Sequence, residues 1–143
     1  MSAKLFSMDT IGMYANISTK HALQVIRHYL EKHSDKLKDF KLPIPFILKC
    51  LGIIMTSNIF TFGGITWQKR NGTAMGTRCA VNYAFLYVGL LEIEELLPYF
   101  KRWLLYYGRY IDDSIGLWNT HKARRQQAWK DFKTRLNGWG NLR

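Results

Sequence analysis

The sequence predicts one α+β domain. Two observations carry that expectation. Stretches with apolar residues at helical spacing alternate with short β-rich runs, and two pairs of those runs flank tight turns. Apolar residues make up 48% and aromatic residues 15% of the 143 positions, enough for one core and too much for a disordered tail.

Lys4 to Met8 alternates and ends at Asp9, the pattern of a short strand. Ser18 or Thr19 caps a helix on which Ala22, Val25, Ile26, Tyr29 and Leu30 fall at helical spacing. The lysine-rich stretch from Lys32 to Lys41 reads as a surface loop, and Pro43 and Pro45 suit the first turn of a second helix reaching about Met55. Ile59 to Phe62 and Ile65 to Lys69 flank Gly63-Gly64 as a hairpin, and Asn71 to Gly76 is a glycine-containing loop. Cys79 to Leu97 reads as one long helix, apolar almost all round and mostly buried, which Pro98 ends. Trp103 to Ile111 and Ser114 to Trp118 are two further β-rich runs, with Asp112-Asp113 between them as a second hairpin turn. Thr120 caps a last helix through about Leu136, with Lys122, Arg124, Arg125, Lys130 and Lys133 on a basic outer face.

Lys and Arg total 21 against 10 acidic residues, a formal net charge of +11. That imbalance favours a polyanionic partner, either nucleic-acid phosphates or an acidic membrane surface. The longest apolar stretch, Leu42 to Met55, is too short to span a bilayer and carries Lys49 and two prolines. The N-terminus lacks the apolar run of a signal peptide. Cys50 and Cys79 are far apart and form no CxxC, so a reduced intracellular protein is expected, with no membrane partner. His21, His28, His33 and His121 show no metal-site spacing.

Asp9 follows a strand, and Asp112-Asp113 tips a hairpin. Two carboxylates about 4 Å apart repel by roughly 4 kcal/mol at an effective dielectric near 20. Such a pair persists if a metal neutralises it, if one member is protonated, or if both splay into water. A lone Asp-Asp turn is more often simply solvated. Here apolar strands flank the turn, and oxygen-only ligation suits Mg²⁺ or Mn²⁺.

Three segments carry a family resemblance. Tyr110-Ile111-Asp112-Asp113 resembles the YxDD motif of reverse transcriptases. Asp9 to Tyr14 resembles the family's earlier motif, an Asp followed five positions later by an aromatic, and Gly72-Thr73-Ala74-Met75-Gly76 resembles its nucleotide- and template-contacting loop. The order and rough spacing agree over about residues 5–142. The wording MYANIS, GTAMGT and RYIDDSIGLW is most similar to Penelope-like retroelements and related cellular or algal reverse transcriptases.

The resemblance implies a polymerase palm, a small antiparallel sheet packed on helices, spanning residues 1–143. Fingers and thumb would be largely missing, since the first motif begins near residue 1 and no thumb follows Arg143. It implies RNA-directed DNA polymerase activity with an RNA template, a DNA primer, a dNTP and two Mg²⁺ ions, Mn²⁺ being an alternative. Asp9 and Asp112 would ligate the metals, Asp113 would ligate more weakly or orient the primer end, and the Thr10 carbonyl would add a ligand. Tyr14 would be the steric gate against a 2′-hydroxyl; outside the motif it would read as an ordinary core aromatic. Gly72 and Gly76 would let backbone approach the nucleotide or template, with Met75 and Tyr110 as further substrate contacts.

One departure concerns nucleotide positioning. The family usually has a Gln three residues before Gly72, where this chain has Lys69; Gln68 lies one residue earlier. Either Gln68 takes that role through a local bulge, or Lys69 contacts phosphate instead. Two other readings share these residues: a nucleic-acid-binding remnant without activity, and an RNA-directed RNA polymerase palm, against which the aromatic Tyr14 argues.

Overall fold

The structure, a computed structural model, describes residues 2–37, 43–121 and 125–138. Its centre is a three-stranded antiparallel sheet in the order β1-β5-β4, built from β1 (Ala3–Asp9), β4 (Leu104–Tyr110) and β5 (Asp113–Asn119). The chain reaches β4 through a four-residue helix α1 (Met13–Asn16), helix α2 (Thr19–Lys32) and helix α3 (Ile44–Thr56). A separate hairpin of β2 (Ile59–Phe62) and β3 (Ile65–Gln68) follows, then helices α4 (Ala80–Leu91) and α5 (Leu97–Phe100). Helix α6 (Arg125–Gly138) comes last. The α+β expectation holds, with small antiparallel sheets.

Local chemistry explains most boundaries. The Ser18 hydroxyl accepts from the His21 amide and caps α2, whose Ala22 and Ile26 are buried. Pro43 is the N-cap of α3 and Pro45 sits in its first turn, where a missing N–H costs nothing. Gly63 and Gly64 both have positive φ, 60° and 75°, as a two-residue hairpin turn requires. A short 3₁₀ turn, Ser34–Leu37, occupies part of the expected lysine-rich loop, and residues 38–42 lie outside the described residues.

One expectation about the helices needs correction. Pro98 does not end the long helix. A π-helical turn, Glu92–Leu96, links α4 to α5, and the Leu97 amide donates to the Glu92 carbonyl five residues back. That shift puts Pro98 in the first turn of α5, where its missing N–H is harmless. The same helix is mostly buried, as expected, and leaves Val81, Phe85, Leu86 and Ile93 as an exposed apolar side. Thr120 ties the chain start to the end of β5, since its amide and hydroxyl both donate to the Ser2 carbonyl, at 3.1 and 3.0 Å; the cap expected from it falls on residues 122–124, outside the described residues. The β2–β3 hairpin forms as expected, and its Ile59, Phe60, Phe62, Ile65 and Trp67 are all exposed, with no described layer covering the ribbon. Of the basic face expected on α6, Lys130 and Lys133 are exposed, while Lys122, Arg124 and the Arg125 side chain lie outside the described residues.

The sheet buries one face. Phe6, Met8, Tyr107, Ser114, Gly116 and Trp118 share that side through the strand register. Phe132 of α6, fully buried, sits at the centre of an aromatic cluster. Its ring lies 5.6 Å from Phe6, 5.2 Å from Phe100, 6.1 Å from Tyr107 and 5.4 Å from Trp118. Gly116 makes room for this arrangement. A Cβ there would overlap the Phe6 ring and lie 2.7 Å from the Tyr106 carbonyl oxygen.

Two stability outcomes follow from this packing. Gly116→Ala must displace either the Phe6 ring or backbone, so it lowers unfolding free energy by about 1–3 kcal/mol; urea denaturation measures it, and an unchanged midpoint would show that the ring yields freely. Burial pushes the Tyr83 and Tyr87 phenols up to about 12, and burial together with Glu92 pushes Tyr107 higher still. Because these folded-state values lie above the unfolded value near 10, the stability they confer is complete below that pH and is lost as pH rises through the folded values. Thermal midpoints should therefore fall progressively above about pH 10, and a flat profile to pH 12 would contradict the burial.

Candidate active site

The register of β1 against β5 brings the sequence-distant aspartates together. Asp9, the last residue of β1, is the antiparallel partner of Asp113, the first residue of β5. Directly opposed residues in an antiparallel pair share one sheet face, with Cβ atoms about 4.5–5.5 Å apart. One step beyond, the Thr10 amide donates to the Asp112 carbonyl at 2.9 Å. Asp9 and Asp113 are exposed and Asp112 is half-buried, at the edge of the sheet. The same outer face carries Ser7, Gly108, Tyr110 and Ile115, with Tyr110 opposite Asp113 and 75% exposed. An open depression of about 320 Å³ runs along these residues.

The hairpin turn falls one residue earlier than expected. Tyr110 and Asp113 close the β4–β5 ladder, so Ile111 and Asp112 form the turn and Asp113 belongs to β5. Ile111 has φ 56°, the one described non-glycine residue with positive φ. For a β-branched residue this conformation costs about 1–3 kcal/mol and persists only where its surroundings enforce it. The Arg109 guanidinium donates through Nη1 to the Ile111 carbonyl at 2.6 Å. Its Nε donates to Glu92 Oε1 at 2.7 Å, and the Tyr107 hydroxyl donates to the same oxygen at 2.5 Å. The Arg109 and Glu92 side chains are only 3% and 8% exposed.

Tyr14 and the glycine loop meet at α1, the helix that follows β1. Gly12, at φ 60°, turns the chain from β1 into α1, which presents Tyr14. Partial burial and then the nearby Asp112 carboxylate raise the Tyr14 phenol above its ordinary value. The Thr73 amide donates to the Tyr14 carbonyl at 2.6 Å. Gly72, at φ 73°, allows this docking, since a Cβ there would lie 2.5 Å from the Ala15 oxygen and 2.7 Å from the Tyr14 oxygen. The glycine requirement at 72 is thus accounted for inside the chain, between loop and α1. At Gly76 a Cβ would meet open space, and Met75 is 72% exposed.

Gln68 and Lys69 lie at the end of the β2–β3 hairpin, just before the glycine loop. The β2–β3 ladder runs regularly from Ile59↔Gln68 to Phe62↔Ile65, so no bulge redirects Gln68. Its side-chain amide donates to the Thr56 carbonyl at 3.1 Å. Lys69 follows directly, its backbone held by the Asn58 carbonyl.

Among the described residues no three His, Cys, Asp or Glu side chains close on a common point, so the aspartates make an open edge and not a finished cage. Their chemistry nevertheless fits a hard divalent cation. The donors are carboxylate oxygens only, two of them facing each other across neighbouring strands, and no described Lys or Arg pairs with them. Sequence reasoning missed Glu92, Tyr107 and Arg109. The available signal was a carboxylate in an apolar helical run, Leu90-Leu91-Glu92-Ile93, which needs a buried cation as partner. No family model matches the chain, and neither a curated protein nor a solved structure is similar enough to count as a match.

The closeness of Tyr14 to Asp112 has a direct readout. In metal-free buffer Asp112→Asn removes one of the two causes that raise the Tyr14 phenol, so its titration midpoint moves down toward 10.0. Ring-carbon chemical shifts followed against pH measure this; an unmoved Tyr14 would place Asp112 too far away to act on it.

Proposed function

We propose that this chain is the catalytic palm of an RNA-directed DNA polymerase, acting on an RNA template, a DNA primer and a dNTP. The observation that supports it most is the register that sets Asp9 opposite Asp113, with Asp112 at the adjoining turn and Tyr14 beside Asp112. Two of the three segments that resemble reverse-transcriptase motifs, far apart in sequence, meet at one sheet edge, and the third docks on α1, which follows β1. A net charge of +11 suits the phosphate backbone such an enzyme must hold.

In this reading Asp9 and Asp112 hold two Mg²⁺ or Mn²⁺ ions, with the Thr10 carbonyl as an added ligand and Asp113 as a weaker ligand or an orienter of the primer end. The ions, when bound, supply Lewis-acid activation of the primer 3′-hydroxyl and charge stabilisation of the departing pyrophosphate. The chain's own residues supply position. Tyr14 lies under the incoming sugar and excludes a 2′-hydroxyl, which selects deoxynucleotides over ribonucleotides. Tyr110, exposed beside Asp113 on the outer sheet face, offers its ring to the primer end. Met75 and Gly76 present an open apolar edge to the template or base. Gln68 is engaged by Thr56, so Lys69 contacts phosphate in place of the nucleotide-positioning glutamine of the family.

Primer extension on an RNA template decides the matter. Joined to fingers and thumb, the palm is expected to extend a DNA primer with dNTPs in Mg²⁺ or Mn²⁺, and Asp112→Asn to cut extension by about 10²-fold or more while template binding persists. Retained extension by that variant would reject the assignment, and extension with rNTPs in preference to dNTPs would favour an RNA polymerase. Tyr14→Ala should raise ribonucleotide incorporation relative to deoxynucleotide incorporation in the same assay; unchanged selectivity would leave Tyr14 a packing residue.

A further inference from the structure

We propose that Arg109 is a positioning residue, clamping the strained Ile111–Asp112 turn from beneath and so fixing where the Asp112 carboxylate stands. Its guanidinium is held on every side. Glu92 takes Nε, the Phe85 carbonyl takes Nη2 at 3.3 Å, and the Phe85 ring lies 4.8 Å from the guanidinium carbon. Nη1 then has one direction left, toward the Ile111 carbonyl. Glu92 is itself fixed by Tyr107 and by the π-helical turn that begins at that residue. The network therefore links helix and sheet core to the carbonyl just before Asp112.

A clamp is needed because Ile111 would otherwise leave its left-handed conformation. Relaxation of φ to a negative value rotates the neighbouring peptide unit, which carries the Ile111 carbonyl and the Asp112 amide. Asp112 moves with it, along with its bond from the Thr10 amide. Lysine in place of Arg109 keeps the positive charge for Glu92, but a single ammonium lacks the planar fork that bonds Glu92, Phe85 and Ile111 together.

The link to catalysis rests on the polymerase reading, whereas the clamp has a readout of its own, exchange of the Thr10 amide proton. Arg109→Lys is expected to speed that exchange by about tenfold, roughly the worth of one charge-assisted hydrogen bond. In an Ile111→Gly background, where the turn carries no strain, the same substitution should change it by no more than about twofold. Equal acceleration in both backgrounds would overturn the proposal, because Arg109 would then be only a core partner for Glu92. Unchanged exchange in folded Arg109→Lys would overturn it as well. Should that variant not fold, Tyr107→Phe keeps both charges and loosens Glu92; a smaller acceleration at Thr10 supports the clamp and none overturns it. Mn²⁺ titration separates the two readings. Paramagnetic broadening of the Asp112 amide that weakens in Arg109→Lys supports both. An exchange response with no broadening in the unsubstituted chain upholds the clamp and rejects the metal-dependent polymerase.

Discussion

The antiparallel pairing of β1 with β5 is the constraint on which the rest of the molecule depends. The two strands lie more than a hundred residues apart, and closing so long a loop costs little more than closing a loop half as long. What needs explanation is the register, because a slip of one residue would exchange the two faces of β1. Phe6 and Met8 would turn outward from the aromatic cluster around Phe132, and Asp9 would turn inward. The pairing is pinned at both ends, by Thr120 on the Ser2 carbonyl and by Thr10 on the Asp112 carbonyl. Core packing and the meeting of the aspartates are therefore one event.

Charge is distributed unevenly, and the distribution has consequences. The chain is strongly cationic, yet three carboxylates collect at one sheet edge with no described cationic side chain paired to them. One arginine that could have reached them, Arg109, lies on the core side of β4 with Glu92. A buried ion pair is favourable only when its remaining donors and acceptors are satisfied. Here Tyr107, Phe85 and Ile111 satisfy them. The same pair thus leaves the aspartate edge electronegative and holds the turn beneath it.

Most elements were legible because short-range rules govern them. The Ser18 cap, the prolines opening α3 and the Gly63-Gly64 turn depend on side chains within a few residues of the backbone they control. Pro98 was misread because the rule that proline ends a helix assumes uninterrupted i→i−4 bonding, which the π turn at Glu92 breaks. The hairpin was legible, but its exposure was not, because an apolar, β-rich pattern states what can pair and not what covers it.

By itself the sequence determined the α+β alternation, the main helices and hairpins, and the identity of the aspartates worth watching, since periodicity, capping and turn chemistry are local. Only the tertiary structure decided that Asp9 faces Asp113, that Gly72 is needed against Tyr14 and Ala15, and that Arg109 lies buried with Glu92 under the Ile111 turn. Those are contacts between segments far apart in the chain. Their geometry comes from strand register and core packing, which no window of neighbouring residues contains.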